Sequence, residues 1–120
     1  MTTTVMIDGR AIAFKATAAV PRLYRLKFRR DIMLDMQEID KAVKKAEDGE
    51  EAIPPHLLEV FENMAFIMAK HADPEIPENT VEDWLDRFET FSIYEVFPQI
   101  FELWQLNTET LSSAKKNKIP

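Results

Sequence analysis

The stretch WLDRFETFSIYEVFPQIFELW, residues 84–104, decides how the rest of this chain folds. It holds seven of the twelve aromatic residues, spaced three or four positions apart. On one continuous helix this spacing would place all seven on one broad face. Burial of each large side chain contributes roughly 1.5–3 kcal/mol, so the stripe must form most of the core or the main docking surface.

Local signals divide the stripe into two helices. Ser92 and Glu95 form a capping box, which predicts a helix start at that point. Thr80 begins a shorter helix upstream. Pro98 removes a backbone hydrogen bond inside the second helix, so we expect a bend or break there. The aromatic residues then fold inward around a corner, and most of them are predicted to be core.

The chain opens with a predicted β-hairpin over about residues 4–15. Asp8-Gly9 lies between two alternating runs, and a two-residue type I′ turn needs positive φ at both positions. Ile12 and Phe14 share one face of the second strand. Because an isolated hairpin is marginal in water, it either packs on the helices or pairs its edge with another subunit.

Two further stretches read as helices, about 21–46 and 55–72. In the first, Leu23 and Leu26 lie on a second apolar face, which is either sandwiched inside the fold or presented to a partner. The pattern shifts near Arg29, which allows a kink between two shorter helices. In the second stretch, Phe66 falls on the polar face, where either a neighbouring segment covers it or it contacts another subunit or a client.

Together these elements predict a mainly α fold (α+β by count). An N-terminal β-hairpin is followed by four to five helices packed as a small irregular bundle. Residues 1–107 form a single domain and residues 108–120 a mobile polar tail. The predicted helices are about 21–46, 55–72, 81–89 and 93–106.

Composition argues against an enzyme. There is no cysteine and there are only two glycines and two histidines, which disfavours thiolate metal sites and phosphate-binding loops. We therefore predict no catalytic residue, no cofactor and no metal. No apolar run approaches the roughly 20 residues that span a bilayer, so we also predict a soluble protein that does not bind membranes.

Charge is divided unevenly along the chain. Residues 1–30 carry +6, whereas residues 31–120 carry −12, within a net charge of −6. Opposite charges of this kind favour contacts within or between subunits. The acidic remainder disfavours nucleic acid and favours an acidic protein surface as the target of the basic cluster. That cluster is Arg22, Arg25, Lys27, Arg29 and Arg30.

The sequence also resembles the phage tail assembly chaperones of long-tailed phages or prophages of Gram-positive bacteria. The resemblance covers about residues 7–118 and rests on packing and turn residues, not on a catalytic signature. It departs from the family pattern at Arg29, where a small residue or glycine is common, and at Val20, where a hydroxyl residue is common. The matching strings are Ile7-Asp8-Gly9-Arg10, Phe14-Lys15-Ala16-Thr17, Pro21-Arg22-Leu23-Tyr24-Arg25, Ala65-Phe66-Ile67-Met68-Ala69-Lys70, Asp73-Pro74, Trp84-Leu85, Ile93-Tyr94-Glu95 and Glu102-Leu103-Trp104.

The resemblance implies a non-enzymatic protein that acts in the cytoplasm of the bacterial host and is absent from the mature virion. Such chaperones bind the tape measure protein, help recruit subunits of the major tail tube protein and tend to form homo-oligomers. The alternatives are a structural virion component, such as a neck or tail-completion protein, and a small helical regulator that binds nucleic acid. The residues predicted to contact a partner are Phe66, Leu23, Leu26, Arg22, Arg25, Arg29 and Arg30.

Overall fold

A computed structural model describes the backbone of residues 1–117 and the side chains of residues 1–106. It begins with the predicted hairpin, strands β1 (Thr2–Ile7) and β2 (Arg10–Lys15), paired antiparallel. Asp8 and Gly9 connect them with φ values of 54° and 76°. Both central residues therefore have the positive φ that a type I′ turn requires, and the Asp-Gly prediction is confirmed.

The hairpin packs one face on the helices. Val5, Ile7 and Phe14 are buried and Ile12 is partly buried, so the inner face is apolar as its alternation predicts. Strand β2 contacts helix α3 (Pro55–Ala72), and strand β1 contacts helix α5 (Ile93–Asn117). The hairpin is thus a lid on the core, the first of the two roles considered for it.

The predicted helix over 21–46 is two helices, α1 (Ala19–Phe28) and α2 (Ile32–Glu47), so the prediction of one helix is wrong and the kinked alternative is right. Arg29 ends α1 in the left-handed conformation with φ 59°, and its amide donates to the carbonyl of Arg25. Asp31 then caps α2, because its side chain accepts from the amides of Met33 and Leu34. The chain turns a corner between these two caps.

Helix α3 is the centre of the molecule. It matches the predicted range 55–72 and starts with Pro55, where the missing N–H costs no helical hydrogen bond. It packs against β2 and against the four other helices. The hairpin and the helices surround α3, which makes the molecule the small irregular bundle that the sequence predicts.

The aromatic stripe is divided as predicted, although the helix ends differ. Helix α4 (Val81–Leu85) is capped by Thr80 and ends four residues before the predicted limit of 89. Helix α5 begins directly after Ser92, whose carbonyl accepts from the amides of Glu95 and Val96. It is unbroken at Pro98, so no break occurs there.

Most of the stripe is core, as expected. Trp84, Phe97 and Trp104 are buried, and Phe88, Phe91 and Phe101 pack against the core. Tyr94 is the exception, with 48% of its surface exposed. Phe91 stacks on Phe61 of α3 with ring centroids 5.2 Å apart.

The C-terminal prediction differs from the structure in helix length. Helix α5 continues to Asn117, eleven residues beyond the predicted end at 106. Residues 118–120 lie outside the described part of the chain, and the mobility of residues 108–120 stays a prediction.

Candidate docking groove

An open groove lies between α1 and α3, and we call it the α1–α3 groove. Its cavity measures about 560 Å³ and is mainly apolar. This volume is within the roughly 300–1,000 Å³ usual for binding pockets. Its lining residues are Leu23, Leu26 and Lys27 of α1, Phe66, Ile67, Lys70 and His71 of α3, and Pro74 of the connector after α3.

Helix α1 presents its leucines outward because its other face is anchored. Val20 and Tyr24 are fully buried, whereas Leu23 and Leu26 are 40% and 52% exposed. The two leucines are three positions apart and therefore lie on the same side of the helix. Of the two roles predicted for this second apolar face, burial inside the fold is wrong for Leu23 and Leu26, and presentation to a partner stays a prediction.

Phe66 does not protrude from α3, and of the two possibilities given for it the structure shows the first, coverage by a neighbouring segment. It is 1% exposed, and its ring lies 5.7 Å from that of Trp84 between centroids. A neighbouring segment, helix α4, brings Trp84 against it. Phe66 nevertheless lines the α1–α3 groove, where it contributes to the floor and not to an exposed contact point.

Two lysines flank this floor. The ammonium groups of Lys27 and Lys70 lie 5.4 and 5.6 Å from the centroid of the Phe66 ring, within the range of a cation–π interaction. Lys70 donates to the carbonyl of Glu78 and the side chain of Asn79, at 2.7 and 3.1 Å. Lys27 donates to the carbonyl of Asn79 at 3.3 Å. The rim of the groove is therefore cationic above an apolar floor.

His71 is held at the end of the groove by an internal contact. Its Nε2 lies 2.9 Å from the hydroxyl oxygen of Thr17, in the segment between β2 and α1. This contact joins the end of α3 to the start of α1. It fixes the distance between the two helices that form the walls.

The predicted arginines do not form one set. Arg22 and Arg25 are exposed on α1, and Arg29 is exposed at the left-handed turn. Arg30 is exposed as well, but its guanidinium donates two hydrogen bonds of 2.8 Å to the carboxylate of Asp35. Arg29 and Arg30 line a second, more polar cavity of about 510 Å³ beside α2. Leu23, Leu26 and Phe66 are thus brought together in one groove, whereas Arg29 and Arg30 are not part of it.

The ion pair belongs to a buried network at the α1–α2 corner. Asp35 is 3% exposed and also accepts from the hydroxyl of Tyr24 at 2.7 Å. Burial alone would raise the pKa of Asp35, but the hydrogen bonds from Arg30 and Tyr24 outweigh it and hold that pKa below its ordinary value. The pKa of Tyr24 is raised, first by burial and then by its hydrogen bond to Asp35. The network fixes α1 against α2 and so orients the two exposed leucines.

Several groove residues were absent from the predicted contacts, namely Ile67, Lys70, His71, Pro74 and Lys27. Lys27 was counted in the basic cluster but not assigned to a site. The helical spacing of Phe66, Ile67, Lys70 and His71 places them on one side of α3, so the sequence indicates that they form one wall of the groove. That this side faces Leu23 and Leu26 follows only from the packing of α1 on α3.

The described residues contain no group of three or more histidine or acidic side chains arranged to hold a metal ion. Within the same part of the chain, no helix is both long and apolar enough to cross a membrane. No family model, no curated protein and no solved structure matches the sequence or the fold.

Proposed function

We propose that this protein is a phage tail assembly chaperone that holds amphipathic helices of the tape measure protein in the α1–α3 groove. The observation that carries the proposal is the groove itself, where exposed Leu23 and Leu26 stand over a floor that includes Phe66. A helix placed in an apolar groove buries its residues at i, i+3, i+4 and i+7. The sequence resemblance to tail assembly chaperones supplies the identity of the client.

On this proposal the protein works by binding and performs no covalent chemistry. It covers the apolar face of its client in the host cytoplasm until tail tube subunits assemble, and it leaves before the virion is complete. The proposal also includes self-association. The exposed bases Arg22 and Arg25 on α1 and the acidic remainder of the chain support it, because opposite charges attract neighbouring copies.

Co-expression with the tape measure protein tests the groove directly. The wild-type chain is expected to keep the tape measure protein soluble, and Leu23→Ser/Leu26→Ser is expected to lose most of that effect. The matched control is Leu34→Ser/Leu58→Ser, which removes two leucines that are 63% and 37% exposed outside the groove. Solubility that is the same with and without the wild-type chain contradicts the chaperone function.

Purified virions test whether the protein leaves before the particle is complete. Mass spectrometry of virions is expected to find the tail tube protein without this chain. Detection of the chain in stoichiometric amounts would instead favour a structural virion component.

A further inference from the structure

We propose that the α1–α3 groove selects acidic amphipathic helices, in which carboxylates flank the apolar stripe. The inference rests on the proposed function and deepens it by specifying the charge of the client segment. Three features of the described residues support it: the rim is cationic, its two lysines have no carboxylate at ion-pair distance, and the floor between them is apolar.

The rim carries cations that have spare donors. An ammonium group has three N–H donors. Lys27 uses one of them, on the carbonyl of Asn79, and Lys70 uses two, on Glu78 and Asn79. All of these acceptors are neutral. Among the described residues, neither lysine has a carboxylate within 4.0 Å.

Two acids that follow the end of α3, Asp73 and Glu78, have partners of their own. The carboxylate of Glu78 receives two hydrogen bonds from Arg87, at 2.6 and 2.7 Å. The carboxylate of Asp73 accepts from the amide of Glu75 at 3.1 Å. The pKa of Arg87 is raised first by the hydrogen bonds that it donates to Glu78, then by the charge of that carboxylate, and last by the charge of Asp73. Glu78 therefore pairs directly with Arg87 and attracts Lys70 only as a weaker, longer-range charge, last among the causes of its lowered pKa. Both lysines remain without a carboxylate at ion-pair distance.

The two lysines are also well placed to meet a ligand. Both lie close to the ring of Phe66, and both line the groove together with Leu23 and Leu26. Arg22 and Arg25 add positive charge along the exposed side of helix α1. A helix that fills the apolar floor must therefore bring its flanking side chains to a positive rim.

Charge complementarity then selects between clients. Glutamate or aspartate beside the apolar stripe can accept hydrogen bonds from the spare donors of the rim, whereas lysine or arginine there is repelled. Lys70 is partly buried, which reduces solvent screening of its pair. An exposed ion pair changes affinity by about 1.5- to 5-fold. Replacing attraction by repulsion at two positions should therefore change affinity by about tenfold.

Two synthetic peptides of about 18 residues, five helical turns, test the selection. Both carry leucine at i, i+3, i+4 and i+7; one has glutamate at the flanking positions and the other lysine. Fluorescence anisotropy with the full chain should show about tenfold tighter binding of the glutamate peptide at an ionic strength of about 0.01 M. The preference should shrink at about 1 M, where the Debye length falls from roughly 30 to 3 Å.

Charge reversal on the protein tests the assignment to these two lysines. Lys27→Glu/Lys70→Glu should invert the preference, and the milder Lys27→Gln/Lys70→Gln should abolish it. The control Lys41→Glu/Lys45→Glu changes the net charge equally on α2, outside the groove, and should retain the preference for glutamate. Circular dichroism checks that each variant is folded, and the glutamine pair keeps the test valid if the reversed pair unfolds.

Equal binding of the two peptides, binding of neither, or an unchanged preference in the glutamine variant would overturn the inference. These results are separable from a failure of the proposed function. If Leu23→Ser/Leu26→Ser abolishes solubilisation of the tape measure protein but the peptides bind equally, the chaperone function stands and the charge selection falls. If the glutamate peptide is preferred but the tape measure protein gains no solubility, the selection stands and the client is wrong.

Discussion

Replacement of Asp35 by asparagine should destabilise the protein more than any isosteric change on its surface. The substitution keeps the size of the side chain and removes its charge. In the native structure the carboxylate accepts three hydrogen bonds, one of 2.7 Å from Tyr24 and two of 2.8 Å from Arg30. The side chain of Asp35 is 5% exposed, so water cannot replace these partners.

The expected loss can be worked out from these contacts. A buried hydrogen bond to a charged acceptor contributes about 1.5–3 kcal/mol, and the asparagine oxygen recovers part of it. The side chain of Arg30 is 45% exposed, so solvent screening limits its pair with Asp35 to about 1 kcal/mol. Together these give a loss of about 2–3 kcal/mol, a large part of the roughly 5–15 kcal/mol that holds a domain folded.

Urea unfolding followed by circular dichroism at pH 7 measures this loss as a shift in midpoint at constant slope. Asp40→Asn is the matched control on the same helix, because Asp40 pairs with the exposed Lys44 and should change stability by no more than about 0.5 kcal/mol. A loss below about 0.5 kcal/mol for Asp35→Asn would refute the role given to the network. Tyr24→Phe completes a double-mutant cycle, in which we expect a coupling of about 1–2 kcal/mol.

The same network predicts a dependence on pH. The folded pKa of Asp35 is held below its ordinary value of 3.8. Its contribution is therefore fully present above that value and is lost as the pH falls through the lowered pKa. The difference in unfolding free energy between wild type and Asp35→Asn should be constant from about pH 5 to 7 and shrink below about pH 4.

Three further predictions concern single positions. Arg29→Gly should stabilise the protein by about 0.5 kcal/mol in urea unfolding. A non-glycine residue in the left-handed conformation costs about 1–2 kcal/mol, and the extra freedom of glycine in the unfolded chain offsets part of this gain. Glu62→Gln should raise the free energy of unfolding by about 0.5 kcal/mol at pH 7. The pKa of Glu62 is raised, first by burial and then by repulsion from Glu59 and Glu82, so its charged form is disfavoured in the folded protein. This gain should vanish below about pH 4.5, where Glu62 is protonated in both states. Phe66→Ala should cost about 3–5 kcal/mol, measured by the same unfolding, because it empties a fully buried site.

Each of these three has an outcome that contradicts it. A destabilised Arg29→Gly variant would mean that the left-handed turn carries no strain. A gain for Glu62→Gln that persists unchanged at pH 4 would exclude charge as its cause. A loss under about 1 kcal/mol for Phe66→Ala would contradict the buried position of its ring.

The parts of the fold that local chemistry determines were predictable. The Asp8-Gly9 turn needs only two residues with positive φ, and Pro55 marks the start of α3 by its missing N–H. The break after α1 was harder to predict because Arg29 adopts the left-handed conformation without being glycine. Asp31 was an available signal, since an aspartate before an apolar helical run is a favoured N-cap.

Long-range packing accounts for what the sequence did not predict. Residues 86–92 keep the aromatic spacing of a helix but lie outside α4. There Phe88 and Phe91 make edge-on contacts with Trp84, and Phe91 also stacks on Phe61 of α3. Phe66 lies on the polar side of its own helix α3, but another helix covers it there. The helix that covers it begins at residue 81, and no local pattern encodes that contact.

The candidate site shows the same division. The exposed apolar face of α1 was visible in the spacing of Leu23 and Leu26. Its position beside Lys70 and Phe66 depends on how α1 packs on α3, and residues 29–54 separate these two helices along the chain. Arg30 looked equivalent to its basic neighbours, yet its guanidinium is engaged by a carboxylate five positions later, although its side chain stays 45% exposed.

The tip of the hairpin also contacts a distant part of the chain. The carboxylate of Asp8 accepts a hydrogen bond of 3.0 Å from the amide of Glu89, 81 residues later. Synthesis at about 5–20 residues per second separates these two groups by roughly 4–16 s, whereas a hairpin forms in about 1–10 μs. Strand β2 meets its partner α3 first, and β1 meets α5 only afterwards. During synthesis the partner of β2 is therefore available before the partner of β1, because α3 precedes α5 in the chain.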